Sequence, residues 1–193
     1  MKKILFIHIN KCGGTSLKKS LRSCKNVFFL EGLRADSLNH LVYTEFKDFI
    51  KFTVVRNPYD RILSCKGMLA RSGQEVSINY ILDLLEDDKI PYDAKSAFKG
   101  ARSSYIKRHS LPMSHKHYGI YNESTNKLNI DYFFKLENIS RDFSKIEQIV
   151  GKKLQQYHLN KSGKNKKALT ATEIQRINYI YELDFKNFGY NKL

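Results

Sequence analysis

A mostly apolar run from Ile4 to Ile9 breaks at Asn10 into Lys11-Cys12-Gly13-Gly14-Thr15-Ser16, and this switch constrains the chain more than any other stretch. Such a run reads as a buried strand. The lysine, glycines and hydroxyls after it are what a strand needs to deliver a loop onto an anionic group. Gly13 and Gly14 give the main chain backbone angles closed to other residues and let it approach a ligand. Thr15 and Ser16 supply hydroxyl hydrogen bonds or a helix cap. The stretch Leu17–Cys24 predicts a helix whose positive N-terminal end faces the anion, with the Lys11 charge beside it.

The same architecture returns in Lys51-Phe-Thr-Val-Val-Arg-Asn-Pro-Tyr-Asp-Arg-Ile-Leu-Ser64. Phe52 to Val55 reads as a second buried strand. Asn57 suits a helix cap and Pro58 the first helical position, which predicts a helix from Tyr59 to about Ala70. Arg56 then falls at the C-terminal end of a strand, where open α/β sheets place their ligands. Ser64 follows two turns into the helix. An arginine fork and a hydroxyl are suited to a phosphate monoester.

The order of the first loop excludes the pattern G-x-x-x-x-G-K-[ST], because the lysine precedes the glycines. Lys11-Cys-Gly-Gly-Thr-Ser16 instead resembles the phosphosulfate loop of the carbohydrate sulfotransferases that use 3′-phosphoadenosine 5′-phosphosulfate (PAPS), and Val55-Arg-Asn-Pro-Tyr-Asp-Arg-Ile-Leu-Ser64 resembles their 3′-phosphate motif. The chain departs from that pattern at Asn10, where proline is usual, and at Cys12, where threonine is usual. The resemblance implies that Lys11, Cys12, Gly13, Gly14, Thr15 and Ser16 bind the phosphosulfate and that Arg56 and Ser64 hold the 3′-phosphate. Arg61 also matches the motif, and a structural salt bridge to Asp60 or Asp36 is the competing reading. The resemblance further implies PAPS as donor, adenosine 3′,5′-bisphosphate as product, and a hydroxylated saccharide as acceptor, with no metal required.

The same likeness extends, less specifically, to Asp131…Glu137-Asn-Ile…Asp142-Phe143, to His158–Ser162 and to Asp184–Tyr190. Asp131 and its neighbours read as structural, because a carboxylate is an awkward neighbour for a polyanionic nucleotide. The basic stretch at about 158–168 reads either as a solvated surface or as a flap over the donor, with Lys161 and Lys164 as its nucleotide-binding residues. Sulfotransferases of this kind carry a base histidine shortly before the second strand, which makes His40 the expected general base and Lys11 its catalytic partner. His109, His115 and His117 are candidates for the acceptor side, with His109 as the alternative base. His8 reads as a packed residue of the first strand.

The expected fold is α/β, a single domain over 193 residues with a P-loop-like central parallel sheet flanked by helices. A helical and loop insertion is expected at about 67–121. Within it, Ser77 caps a helix through Glu86 whose Ile78, Ile81, Leu82 and Leu85 form a core-facing stripe. Asp131–Asn138 reads as a further strand. Ser140 then caps a helix ending at Val150, with Gly151 closing it, and Thr170-Ala-Thr-Glu173 is a capping box for a last helix.

Charge favours anionic partners: 34 basic against 19 acidic residues give a net +15. Three cysteines without C-x-x-C spacing argue against a disulfide framework. The opening apolar run is too short to cross a bilayer, and the Golgi anchor of eukaryotic relatives is not expected, so a cytoplasmic enzyme is the reading. Two other functions stay open on the residues alone. A phosphotransferase with an atypical loop would require ATP and Mg²⁺. A basic nucleic-acid-binding module would bind polynucleotides with strong salt dependence, although no recognisable nucleic-acid motif is present.

Overall fold

A computed structural model describes residues 2–30, 42, 44–90, 102–157 and 169–193. The chain groups into two compact units, one of Met1–Arg56 with His115–Lys161, the other of Asn57–Ser114 with Ser162–Leu193.

The first unit is built on a parallel sheet. Strands β1 (Ile4–Ile7), β2 (Val27–Leu30), β3 (Ile50–Val55) and β6 (Tyr132–Lys135) lie in the order β2-β1-β3-β6. All four residues of β1 are buried, as expected for a strand in the middle of a parallel sheet. Register pairs Ile4 with both Val27 and Ile50, and Phe52 with Tyr132. Phe6, Phe52 and Phe134 form an aromatic row across three strands, with ring centroids 5.1 and 6.1 Å apart. Helices α1 (Gly14–Leu21) and α5 (Ile139–Val150) cover that row, burying Leu17, Leu21, Ile146 and Val150 against it.

Asp131 is structural. Its carboxylate accepts from the Lys51 N–H at 2.7 Å, and its own N–H donates to the Lys51 carbonyl at 2.9 Å. These bonds clamp the start of β6 to β3 and fix their register. Within the same unit, β4 (Tyr121–Asn122) and β5 (Lys127–Leu128) form a small antiparallel hairpin.

The strand expected over Asp131–Asn138 is shorter, and Leu136–Asn138 forms a 3₁₀ turn instead. Ser140 does not cap α5. Asn138 is the cap position and makes no side-chain cap bond, because the preceding 3₁₀ turn already feeds the chain into the helix. Gly151 closes α5 at φ 71°, as expected.

The second unit is helical. It contains α2 (Pro58–Arg71), α3 (Ile78–Glu86), α4 (Arg102–Ser110), α6 (Ala171–Ile180) and α7 (Glu182–Phe188). Asn57 caps α2 by accepting from Tyr59 N–H at 3.0 Å, with Pro58 in the first turn. Ser77 caps α3 by accepting from Tyr80 N–H at 3.0 Å, and the Thr170–Glu173 capping box opens α6. The buried stripe of α3 is Ile78, Ile81, Leu82 and Leu84, with Leu85 only partly covered.

Arg61 is 1% exposed, and of the two acids expected beside it Asp36 lies outside the described residues. Its Nη1 donates to the Leu111 carbonyl at 2.6 Å and to the Ser110 carbonyl at 3.3 Å. Its charge acts on Asp184, which is fully buried and accepts from Met113 N–H and Ser114 N–H, each at 2.7 Å. Burial pushes the Asp184 carboxyl up, while Arg61 and those two donors pull it back. Arg61 and Asp184 thereby staple α2 and α7 to the turn at 110–114.

Candidate nucleotide site

The strand order places a topological switch point between β1 and β3, because the chain leaves β1 for β2 on one side and returns to β3 on the other. Ligands of open α/β sheets bind outside the carboxyl ends of the strands at that point. The loop Lys11–Ser16 follows β1, and Arg56 follows β3. The two halves meet directly: Arg56 Nη1 donates to the Lys11 carbonyl at 3.2 Å.

The loop is tighter than the sequence suggests. The helix expected from Leu17 starts at Gly14 and stops at Leu21. Gly13, at φ 76°, turns the chain immediately into the helix, and its carbonyl accepts from Ser16 N–H at 3.1 Å and Leu17 N–H at 3.3 Å. Thr15 and Ser16 therefore sit inside the first turn and do not cap it. The N–H groups of Gly14 and Thr15 precede the first helical hydrogen bond and lie at the positive end of α1.

Lys11 holds φ 65°, an uncommon conformation for a side chain-bearing residue. A left-handed non-glycine residue costs roughly 1–2 kcal/mol, and such strain collects at functional sites. Cys12 is fully buried, and its Sγ lies 3.6 Å from the Asn10 carbonyl as a donor, so its side chain fills space beneath the loop. Gly13 faces Leu136, and a methyl there would lie 2.5 Å from Leu136 Cδ1. A methyl on Gly14 would lie 2.0 Å from His8 Cδ2 and 2.4 Å from its Nε2. His8 packs on Phe6 with ring centroids 6.3 Å apart, in keeping with its structural reading.

Gly14→Ala should therefore cost about 1–3 kcal/mol of stability by overpacking. Gly67→Ala, inside α2 with only Arg71 Nη1 within reach at 3.6 Å, should instead add up to about 1 kcal/mol. Urea denaturation of both variants checks this, and wild-type stability for Gly14→Ala would contradict the close packing of loop and ring.

The remaining candidates are distributed as follows. Ser64 lies half-buried in α2 of the helical unit. His109 lies near the end of α4 in the same unit, whereas His115 and His117 belong to the sheet unit. His115 Nδ1 accepts from His117 N–H at 3.0 Å and so caps the short 3₁₀ turn Lys116–Tyr118. His117 is 2% exposed and packs edge-on to Tyr118. Both have structural work in these positions. His40, Lys161 and Lys164 lie outside the described residues. Among the described residues no cluster of His, Cys, Asp or Glu forms a metal-binding group, and no helix is long and apolar enough to cross a membrane.

Residues 1–65 match the family model described as the sulfotransferase family. That stretch ends one residue beyond Ser64 and contains both anion motifs. Among solved structures, the chain is similar to the crystal structure of a sulfotransferase from Alicyclobacillus acidocaldarius, at 12% identity and a TM-score of 0.49, over 97% of this chain and 94% of that one. No curated protein matches the sequence.

Proposed function

We propose that this chain transfers a sulfuryl group from PAPS to a hydroxyl of a saccharide. The observation that carries the reading is the contact of Arg56 with the Lys11 carbonyl at the switch point between β1 and β3. It brings a guanidinium fork to a strained lysine, two glycines and a helix N-terminus, and the sulfotransferase family match spans the same residues. These groups fit a doubly anionic nucleotide: the loop N–H groups and Lys11 suit the phosphosulfate end, and the Arg56 fork suits a phosphate monoester. The Ser64 assignment to that phosphate rests on the sequence motif.

PAPS supplies an activated sulfuryl group on a phosphate leaving group. Lys11 neutralises charge developing on the bridging oxygen, and the loop N–H groups hold the same charge without reorganising. His40, on the resemblance, accepts the proton of the attacking hydroxyl. Sulfuryl transfer thereby depends on positioning and charge stabilisation, as phosphoryl transfer does. Incubation with ³⁵S-labelled PAPS and a panel of saccharides tests this. Label should appear in a saccharide product together with adenosine 3′,5′-bisphosphate. Failure of any saccharide or small hydroxylated compound to accept label from a folded protein would overturn it.

A further inference from the structure

The amino end of the parallel sheet holds a cavity that the nucleotide loop does not line. Lys2 precedes β1, Asn26 precedes β2, and Ile50 and Tyr132 open β3 and β6. The strands run in parallel, so these four residues gather at one end of the sheet, whereas Lys11–Ser16 and Arg56 follow the carboxyl ends of β1 and β3. Helix α5 runs back to the amino end and finishes there at Val150 and Gly151. With Phe134, Lys145 and Gln148, these residues line a cavity of about 640 Å³, within the range of small-molecule sites. The whole lining belongs to the sheet unit.

The floor of the cavity is apolar and its charge is positive. Tyr132 and Phe134 alternate along β6 and so face the same side. Phe134 is 5% exposed and packs in the core with Val150, whereas Tyr132 is 48% exposed. The lining carries two cations, Lys2 and Lys145, and no acid. Lys145 Nζ pairs with Asp142 at 3.0 Å, so its charge is already shared. Glu147, on the same helix, is held by Lys153 at 3.0 Å and by the Leu154 N–H at 2.8 Å. Lys2 is exposed, and its ammonium has no hydrogen-bond or ion-pair partner among the described residues. The same holds for the Tyr132 hydroxyl and the Gln148 amide.

We propose that this cavity binds an aryl carboxylate, an organic anion whose flat apolar body stacks on Tyr132 and whose carboxylate pairs with Lys2. An exposed tyrosine ring above an apolar floor suits a planar body, and an uncommitted ammonium suits a carboxylate. The last carbonyls of α5 carry partial negative charge, which keeps the carboxylate away from Gly151 and on the Lys2 side. A neutral body leaves the ammonium unmatched, and a cationic one is repelled by it. The proposal goes beyond sulfuryl transfer and does not rest on it, because the cavity and the nucleotide loop share no residue.

Titration of 2-naphthylacetate into the ¹⁵N-labelled full chain, followed by amide chemical shifts, tests the proposal. Saturable shifts should centre on Ile50, Ile149, Val150 and Gly151. The uncharged 2-(2-naphthyl)ethanol should bind roughly three- to fivefold more weakly, and Lys2→Gln should bring the acid down to the level of the alcohol. Lys145→Gln should change affinity by about twofold or less, since Asp142 already shares that charge. Tyr132→Ala should weaken binding about fivefold or more, whereas Tyr132→Phe, which keeps the ring, should hold within about twofold. Lys127→Gln, an exposed cation of the same unit that does not line the cavity, should leave affinity unchanged. Equal affinity for acid and alcohol, wild-type affinity in Lys2→Gln and Tyr132→Ala, or the same loss in Lys127→Gln would overturn the proposal. Shifts centred on Gly13, Gly14 and Thr15 would also overturn it, by placing the anion in the loop after β1. So would the absence of saturable shifts at the cavity amides.

Discussion

Lys11→Ala should lower the rate of sulfuryl transfer by roughly 100- to 1,000-fold, the cost of removing one preorganised group that stabilises transition-state charge. The loss should fall on kcat more than on KM for the nucleotide, because charge on the bridging oxygen develops only as the bond breaks. Lys11→Gly sharpens the expectation. Lys11 occupies φ 65°, which glycine adopts without steric cost. The glycine variant should therefore fold at least as stably as the wild type, within about 1 kcal/mol, while losing the same activity. A lysine kept for the fold would show the reverse, with stability lost and turnover retained. Steady-state kinetics with labelled PAPS and urea denaturation of both variants separate the two.

Arg61→Met should destabilise the protein by about 3–5 kcal/mol, because it leaves the Asp184 carboxylate buried without its counter-charge. In a chain of this length that corresponds to a fall in Tm on the order of 10 °C. Asp184→Asn should behave similarly, since it strands the Arg61 charge at 1% exposure. The double replacement Arg61→Met with Asp184→Leu should lose less than the sum of the two, because no isolated charge remains. Thermal unfolding followed by circular dichroism gives all three values. Single variants within 1 kcal/mol of wild type would contradict the stapling role, and would return Arg61 to the sequence motif as a ligand-binding residue.

The strands and most helix ends were legible because their signals are local. Four apolar residues between Lys3 and His8 can only be a buried strand, and Ser77, Asn57 and the Thr170–Glu173 box bond to N–H groups two or three positions away. The failures are the places where the deciding partner is distant or the geometry is carried by one torsion. Whether α1 begins at Gly14 or Leu17 depends on Gly13 turning left-handed, and the same two glycines permit either start. The carbonyls of Ser110 and Leu111 that accept from Arg61 lie about 50 residues along the chain, and no spacing links them to it. Asn138 displaces Ser140 as the start of α5 because a 3₁₀ turn intervenes, which the continuous run Tyr132–Leu136 conceals.

At the candidate nucleotide site, the sequence shows the residue types and their order but not the contact that joins Arg56 to Lys11. Arg56 and Lys11 become neighbours only because β1 and β3 pair in parallel with Ile4 opposite Ile50. The histidines divide for a similar reason. His115 and His117 share an x-spaced pair in sequence, yet one caps a turn and the other is buried.

Titration calorimetry comparing adenosine 3′,5′-bisphosphate with AMP tests the nucleotide assignment most directly. The two ligands differ by the 3′-phosphate alone, the group assigned to Arg56. The bisphosphate should bind at least tenfold more tightly, and Arg56→Ala should remove most of that difference while leaving AMP binding little changed. Equal affinity for the two nucleotides in the wild-type protein would contradict the assignment of this site to PAPS.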